Sequence, residues 1–340
     1  MRVAAGLKIA QVAQDARALF PGVLMAATIG LAAKFLSEHY GAPVMLMALL
    51  LGMAFSFLTE EEDNRARRGI EFSSKAILRF GVALLGLGIT VQQVRSLGSE
   101  VIFITLFGVA FTLLLGPLLA RIFGLRTIFG ILVGGAVAIC GASAALAIAS
   151  VLPKHGDKER DTIFAVVSVT VLSTLAMIIY PIIVDGLSLS DRAAGVFLGS
   201  TIHDVAQVVG AGYSISEEVG DTATLVKLLR VSLLVPIVII ISVFFATKGS
   251  ALKGAMPVPP FVIGFVCLVF VGSYHLVPED LAKTVLTLSR WCLITAISAL
   301  GMKTSLKKFI EVGGSSVGLV FGLTVLLALF SISIILFLKI

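Results

Sequence analysis

Four polar residues stand together inside an otherwise apolar stretch. They are Ser200, His203, Asp204 and Gln207, within GVFLGSTIHDVAQVVGAG, Gly195 to Gly212. Their spacing of i, i+3, i+4 and i+7 predicts a single helical face, with the Thr201 hydroxyl beside it. Histidine titrates near physiological pH, and an aspartate can carry a proton or hold a cation. An ionisable pair at membrane depth is costly unless it faces a bundle interior or a water-filled cavity. His203 and Asp204 are therefore the candidates for proton or sodium coupling. The bland alternative is a pair that merely ties two helices together.

Two further groups carry chemistry. Gly130 to Ser150 reads GILVGGAVAICGASAALAIAS, rich in glycine and alanine. Small residues allow close helix packing in membranes. They also suit an interruption near Ala138–Ala144, where Cys140, Gly141 and Ser143 would leave amides and a half-helix N-terminus for an anion. Such irregular backbone survives at membrane depth only where it is buried or lines a cavity. Matching Gly130 with Gly195 and Gly134 with Gly199 sets Ala136–Ile139 beside Thr201–Asp204. The other group is Lys227 and Arg230, read as near the outer end of their span. There they would snorkel to the headgroups, balance Asp204, or bind an oxyanion directly.

The elements that must position these groups follow from composition. Of 340 residues, 58% are hydrophobic and 14% charged, with mean hydropathy +1.08. Soluble domains carry about 45–50% apolar and about 25% charged residues. The chain reads as one all-α polytopic membrane bundle, 1–340, with about eleven spans at 18–37, 42–58, 73–91, 99–120, 127–152, 162–184, 193–213, 223–246, 259–276, 285–302 and 314–338. With the N-terminus in the cytoplasm, 15 lysines and arginines fall inside and 6 outside, which places the C-terminus outside. The +6 charge is this topology signal and calls for no nucleic-acid partner. Cys140, Cys267 and Cys292 lie in apolar runs and fit neither a disulfide framework nor a zinc motif. The first residues read as an amphipathic lead-in, unlike a cleaved signal peptide. No catalytic elbow, Walker loop, zincin or dinucleotide motif is present, so the expectation is a non-enzyme without a cofactor and without its own ATP drive.

A weak internal repeat is visible at an offset of 215 residues. Leu19-Phe20-Pro21 resembles Leu234-Val235-Pro236, and Leu85-Gly86 followed by Gly98 resembles Leu300-Gly301 followed by Gly313. Thr90/Ser305 and Val91/Leu306 keep the register. Copies seven spans apart would cross in opposite directions, a mark of secondary transporters.

Three ordered motifs carry a family resemblance: Ala138-Ile139-Cys140-Gly141-Ala142-Ser143-Ala144, Gly199-Ser200-Thr201-Ile202-His203-Asp204-Val205-Ala206-Gln207-Val208, and Lys227-Leu228-Leu229-Arg230. Together they resemble the YeiH-type conserved hypothetical membrane proteins of bacteria, a family whose other name attributes sulfate export to it. The resemblance implies kinship with the cation/proton antiporter and anion transporter superfamily, inverted repeats, broken helices at the midplane and an inner-membrane location. The leading expectation is a secondary transporter exporting a small anion, sulfate or an organosulfonate, by alternating access. Cys140, Gly141, Ser143, Ser200, Thr201, Gln207, Lys227 and Arg230 are its substrate-binding candidates. The partners expected are the lipid bilayer, the anionic solute and, as a homodimer, a second copy of the chain. The alternatives are a cation/proton antiporter built on Asp204 and a non-transporting membrane sensor or assembly protein.

Overall fold

In lipid every backbone polar group must be satisfied within the chain, so apolar runs fold as helices. The computed structural model describes residues 2–40, 42–59, 65–92, 97–153, 156–245, 260–274, 276–303, 314–338 and 340, with no strand among them. The helices are α1 (Arg2–Tyr40), α2 (Val44–Ala54), α3 (Arg67–Phe72), α4 (Leu78–Leu85), α5 (Gly98–Ile122), α6 (Thr127–Ala138) and α7 (Ala142–Val151). They continue as α8 (Lys158–Gly186), α9 (Asp191–Thr201), α10 (Val205–Tyr213), α11 (Glu217–Ser232), α12 (Leu234–Phe244), α13 (Pro260–Ser273), α14 (Glu279–Lys303) and α15 (Gly314–Leu338). Among the described residues, six stretches are long and apolar enough to cross a membrane: Arg17–Tyr40, Gly98–Ile122, Lys158–Gly186, Glu217–Phe244, Glu279–Lys303 and Gly314–Leu338.

The chain forms two compact units, Met1–Gly88 with Gly264–Ser305, and Ile89–Ile263 with Leu306–Ile340. In the first, α2 and α14 meet where Gly52 and Gly301 bring their backbones together, a Cβ on Gly301 being 2.9 Å from the Gly52 Cα. Gly86, at the end of the α3–α4 segment, lies in the same way on the Phe265 backbone of α13. A single turn of π-helix, Ser73–Ile77, joins α3 to α4.

The 215-residue offset lines up whole helices. Val44–Ala54 maps to 259–269, beside Pro260–Ser273; Arg67–Gly88 maps to 282–303, within Glu279–Lys303; Gly98–Ile122 maps to 313–337, beside Gly314–Leu338. Leu19–Pro21 lies inside the continuous α1, whereas Leu234–Pro236 opens α12. Ser305, Leu306 and Gly313 lie outside the described residues.

The second unit corrects two of the eleven expected spans. Segments 127–152 and 193–213 do not run through; each turns back on itself. A straight run over 127–151 would be about 37 Å long. Instead Arg126, the N-cap of α6, pairs with Asp157 at 3.1 Å and Asp161 at 2.9 Å, which follow the far end of the segment at the start of α8. Phe129 of α6 meets Phe164 of α8, and the Ile148 side chain of α7 reaches Gly135 of α6. The segment is a hairpin, α6 out and α7 back, with its tip at Ile139–Gly141.

The second hairpin is α9 out and α10 back. Ser216 Oγ donates to Asp191 Oδ2 at 2.8 Å, which closes its base. A Cβ on Gly195 of α9 would lie 3.1 Å from the Val219 carbonyl, and one on Gly212 of α10 would lie 3.2 Å from the same carbonyl, so both arms clasp the start of α11. Arms of 9–12 residues are about 14–18 Å long, roughly half a hydrocarbon core.

Helix α8 shows which way the hairpins point. It leaves the base of the first hairpin at Lys158 and ends at Gly186, just before the second hairpin begins at Asp191. The two bases thus lie at opposite ends of α8, and the tips meet beside its middle. The hydrophobic periodicity could not separate a crossing from a re-entrant pair, because both bury two half-length apolar arms.

Candidate functional site

The tips are built from a reassignment of backbone hydrogen bonds. In an unbroken helix the carbonyls of Gly199, Ser200 and Ile202 would accept from the amides of His203, Asp204 and Ala206. Here His203 N and Asp204 N both donate to Ser173 Oγ on α8, at 3.2 and 3.0 Å. Ala206 N donates to Asp204 Oδ1 at 2.8 Å, so the aspartate caps α10. The released carbonyls go to α11. Arg230 Nη1 donates to Gly199 O at 3.4 Å and Ser200 O at 2.5 Å, and Lys227 Nζ donates to Ile202 O at 2.8 Å.

The first tip is held by the same two side chains. Arg230 Nη2 donates to Val137 O at 3.0 Å and also to Ala138 O, which takes Arg230 Nε at 2.8 Å as well. Lys227 Nζ donates to Ile139 O at 2.7 Å. Gly141 turns the chain with φ +62 and ψ −122, a conformation that side chains rarely adopt. A Cβ there would lie 3.6 Å from His203 Cβ, so the two tips touch.

Each exposed helix C-terminus carries roughly half a negative charge. Two of them, α6 and α9, converge on Lys227 and Arg230, which are 0% and 1% exposed. Their helix starts at Glu217, earlier than expected, so both lie well inside it and do not snorkel. Sequence reasoning offered them as direct anion ligands; the structure engages their donors on backbone carbonyls, where they neutralise the helix ends from within.

The four-residue stripe is also redistributed. Ser200 Oγ pairs with Ser331 Oγ of α15 at 2.6 Å. His203 Nε2 meets Thr324 Oγ1 of α15 at 2.9 Å. Thr324 donates its own proton to Val320 O at 2.8 Å, which assigns the proton of this contact to His203 Nε2. Gln207 faces the other way, its Nε2 donating to Thr174 Oγ1 at 2.7 Å and to Thr170 O at 3.4 Å on α8. Thr201 Oγ1 turns back to Phe197 O of its own helix at 2.5 Å. One predicted face has become contacts to two other helices, α8 and α15, because the helix breaks at Ile202–Asp204.

Ser143 is exposed on the first turn of α7, whose N-cap Gly141 offers no side chain to its amides. Cys140 is buried at the tip. Asp204 is partly exposed, whereas His203 and Gln207 are fully buried. Among the described residues, the buried side-chain nitrogens and oxygens without a hydrogen-bond partner are His203 Nδ1 and Gln207 Oε1. No three His, Cys, Asp or Glu residues stand together as metal ligands among the described residues.

Sequence reasoning missed Ser173, Thr174, Thr324 and Ser331. Lone hydroxyls in apolar helices usually bond the carbonyl one turn back, so these carried no distinguishing signal. Asp204-Val205-Ala206-Gln207 did carry one. Asp followed three residues later by Gln is the pattern of a helix start, and it marks the break. A cleft of about 340 Å³ near the base of the second hairpin, lined by Arg192, Glu218, Asp221 and Thr222 among others, includes none of the tip residues.

Among the described residues, a strand-free helical fold with long apolar helices and buried polar tips defines an integral membrane protein. Residues 21–320 match the family model described as Conserved hypothetical protein 698. The chain is 53% identical to a UPF0324 membrane protein of Chlorobaculum tepidum, over 91% of this chain and 87% of that one. It is 51% identical to one of Rhizobium meliloti, over 91% and 90%. It is 49% identical to the UPF0324 membrane protein TauZ of Paracoccus denitrificans, over 92% and 94%. The chain belongs to this family of conserved hypothetical membrane proteins, the YeiH-type family that its motifs resemble. No solved structure matches it.

Proposed function

We propose that the protein is a secondary transporter that exports a small anion, with sulfate and organosulfonates as the first candidates, across the inner membrane by alternating access. One observation carries this. Where the tips meet, the chain supplies two buried cations against one partly exposed carboxylate, Asp204. Next to them the N-terminus of α7, whose N-cap Gly141 has no side chain to offer, presents the Ala142 and Ser143 amides to an oxyanion, with the Ser143 side chain exposed. Lys227 and Arg230 act by setting the local potential, and Cys140 and Gly141 by shaping the turn. No bond is made or broken in the solute, so no enzyme chemistry or cofactor is invoked.

The helix register at 215 residues supports inverted copies. Removing two crossings keeps α2 and α13, and likewise α5 and α15, opposite in direction. It also sharpens the orientation. Only the segments between the hairpins change sides, which moves the lysine and arginine count from 15 against 6 to 17 against 4 with the N-terminus inside. A membrane potential of 100 mV is worth about 2.3 kcal/mol per elementary charge, so an inside-negative cell drives an anion outward.

The test is flux into and out of proteoliposomes of labelled sulfate, a sulfonate and sodium under imposed voltage and pH gradients. Voltage-sensitive anion flux that is reduced by Ser143→Leu, in a variant that elutes and melts like the parent, supports the proposal. Sodium–proton exchange without anion flux, abolished by Asp204→Asn, would replace it with the antiporter reading. No flux of any of these solutes by folded protein would favour the sensor or assembly role.

A further inference from the structure

We infer that the protein binds a monovalent cation, with sodium the first candidate, at the start of α10, where the Gln207 side-chain oxygen and the Asp204 carboxylate are its ligands. The inference deepens the transport reading by naming a coupling ion and its place. It begins with Gln207. The Thr174 hydroxyl gives its proton to Thr170 O at 3.0 Å, so it can only accept from the glutamine. Together with the contact to Thr170 O, this holds the NH₂ end of the amide against α8. Oε1 is therefore directed away from α8, fully buried and without a partner.

A buried orphan acceptor costs about 1–3 kcal/mol. The usual occupant of this position is absent for a visible reason. In a capping box, glutamine three residues after the cap would accept the cap residue's own amide. Here Ser173 Oγ takes the Asp204 amide, so Oε1 has no backbone donor to serve. Three residues earlier, at the N-cap of the same helix, lies the Asp204 carboxylate, which is partly exposed.

A neutral carbonyl oxygen with one carboxylate three residues before it at the helix start suits a compact hard cation of single charge. It repels an anion, which the other tip would hold at the α7 N-terminus. The two half-helix C-termini that might otherwise attract a metal ion are already filled by Lys227 and Arg230. Sodium thus has one distinct place at the joint, and the anion another.

The experiment is the melting temperature of the purified full chain as sodium gluconate replaces choline gluconate at constant ionic strength, with potassium as a size control and no sulfate or sulfonate present. The expected result is a saturable rise specific to sodium. Gln207→Leu should melt cooperatively yet need at least tenfold more sodium for the same rise. Gln207→Glu, which keeps the oxygen, should retain the rise. A parent protein that melts alike in all three salts, or a Gln207→Leu variant with an unchanged sodium midpoint, overturns the inference. Because no transported anion is present, failure of the anion reading would leave this sodium response intact, and the reverse also holds.

Discussion

At the residue scale, Lys227 and Arg230 are the centre of the design. Each bonds carbonyls from both tips, so removing either leaves buried acceptors unsatisfied on two hairpins at once. Leaving a buried acceptor unsatisfied costs about 1–3 kcal/mol. Lys227→Met should lower the unfolding free energy by about that amount in detergent, followed by circular dichroism against denaturant. An unchanged midpoint would contradict a bridging role for the Lys227 ammonium. Gly141 makes a second case. The nearest heavy atom to a new Cβ is at 3.6 Å, so space is available and only the backbone objects. Gly141→Ala should therefore cost about 1–3 kcal/mol, the usual range for a strained φ/ψ, with little change at the neighbouring Gly199 or Ser200 contacts.

At the element scale, the hairpins replace two crossings, and glycines bring their arms into close backbone contact with neighbouring helices. Gly116 of α5 and Gly130 of α6 are the clearest instance, since a Cβ on Gly130 would lie 2.5 Å from the Gly116 carbonyl and 2.7 Å from Ala120 Cβ. Backbone cannot yield as a side-chain end can. Gly130→Ala should cost about 1–3 kcal/mol through overpacking, measured as a lowered melting temperature. Gly124→Ala, with nothing within 4 Å, tests the crowding by contrast, although its own φ of +68 adds a strain unrelated to packing. The hairpins also predict accessibility. Cysteines placed singly at Arg121 and Glu159 should react with an impermeant maleimide from the same side of the membrane. Those at Asp185 and Glu217 should both react from the opposite side. Opposite labelling within either pair would restore the crossing topology.

At the scale of the whole molecule, hairpin bases at the two ends of α8 bring one tip from each side to a common point. An anion at α7 and a cation at α10 would then share a joint stitched by one lysine and one arginine. Odd crossing parity between the repeat copies predicts the termini on opposite sides. Reporter fusions at residue 340 should be active only in the periplasm, and an N-terminal fluorescent fusion should stay bright in the cytoplasm.

Much of this was legible without coordinates. Composition determined the membrane class, since 58% apolar residues in long runs leave lipid as the solvent. The polar centres of two apolar segments were found by residue type alone, and the glycines around Cys140 announced the first break. The family motifs led to the same three stretches. What the sequence could not convey was direction. A broken helix that continues and one that turns back expose the same residues with the same periodicity. The choice rests on long-range pairs such as Arg126 with Asp157 and Ser216 with Asp191. The employment of Lys227 and Arg230 was equally hidden, because a cation's partner here is a main-chain carbonyl, which every residue owns. Ser173 and Thr324 are the last example: only the tertiary structure tells a hydroxyl that stitches two elements from one that bonds its own helix.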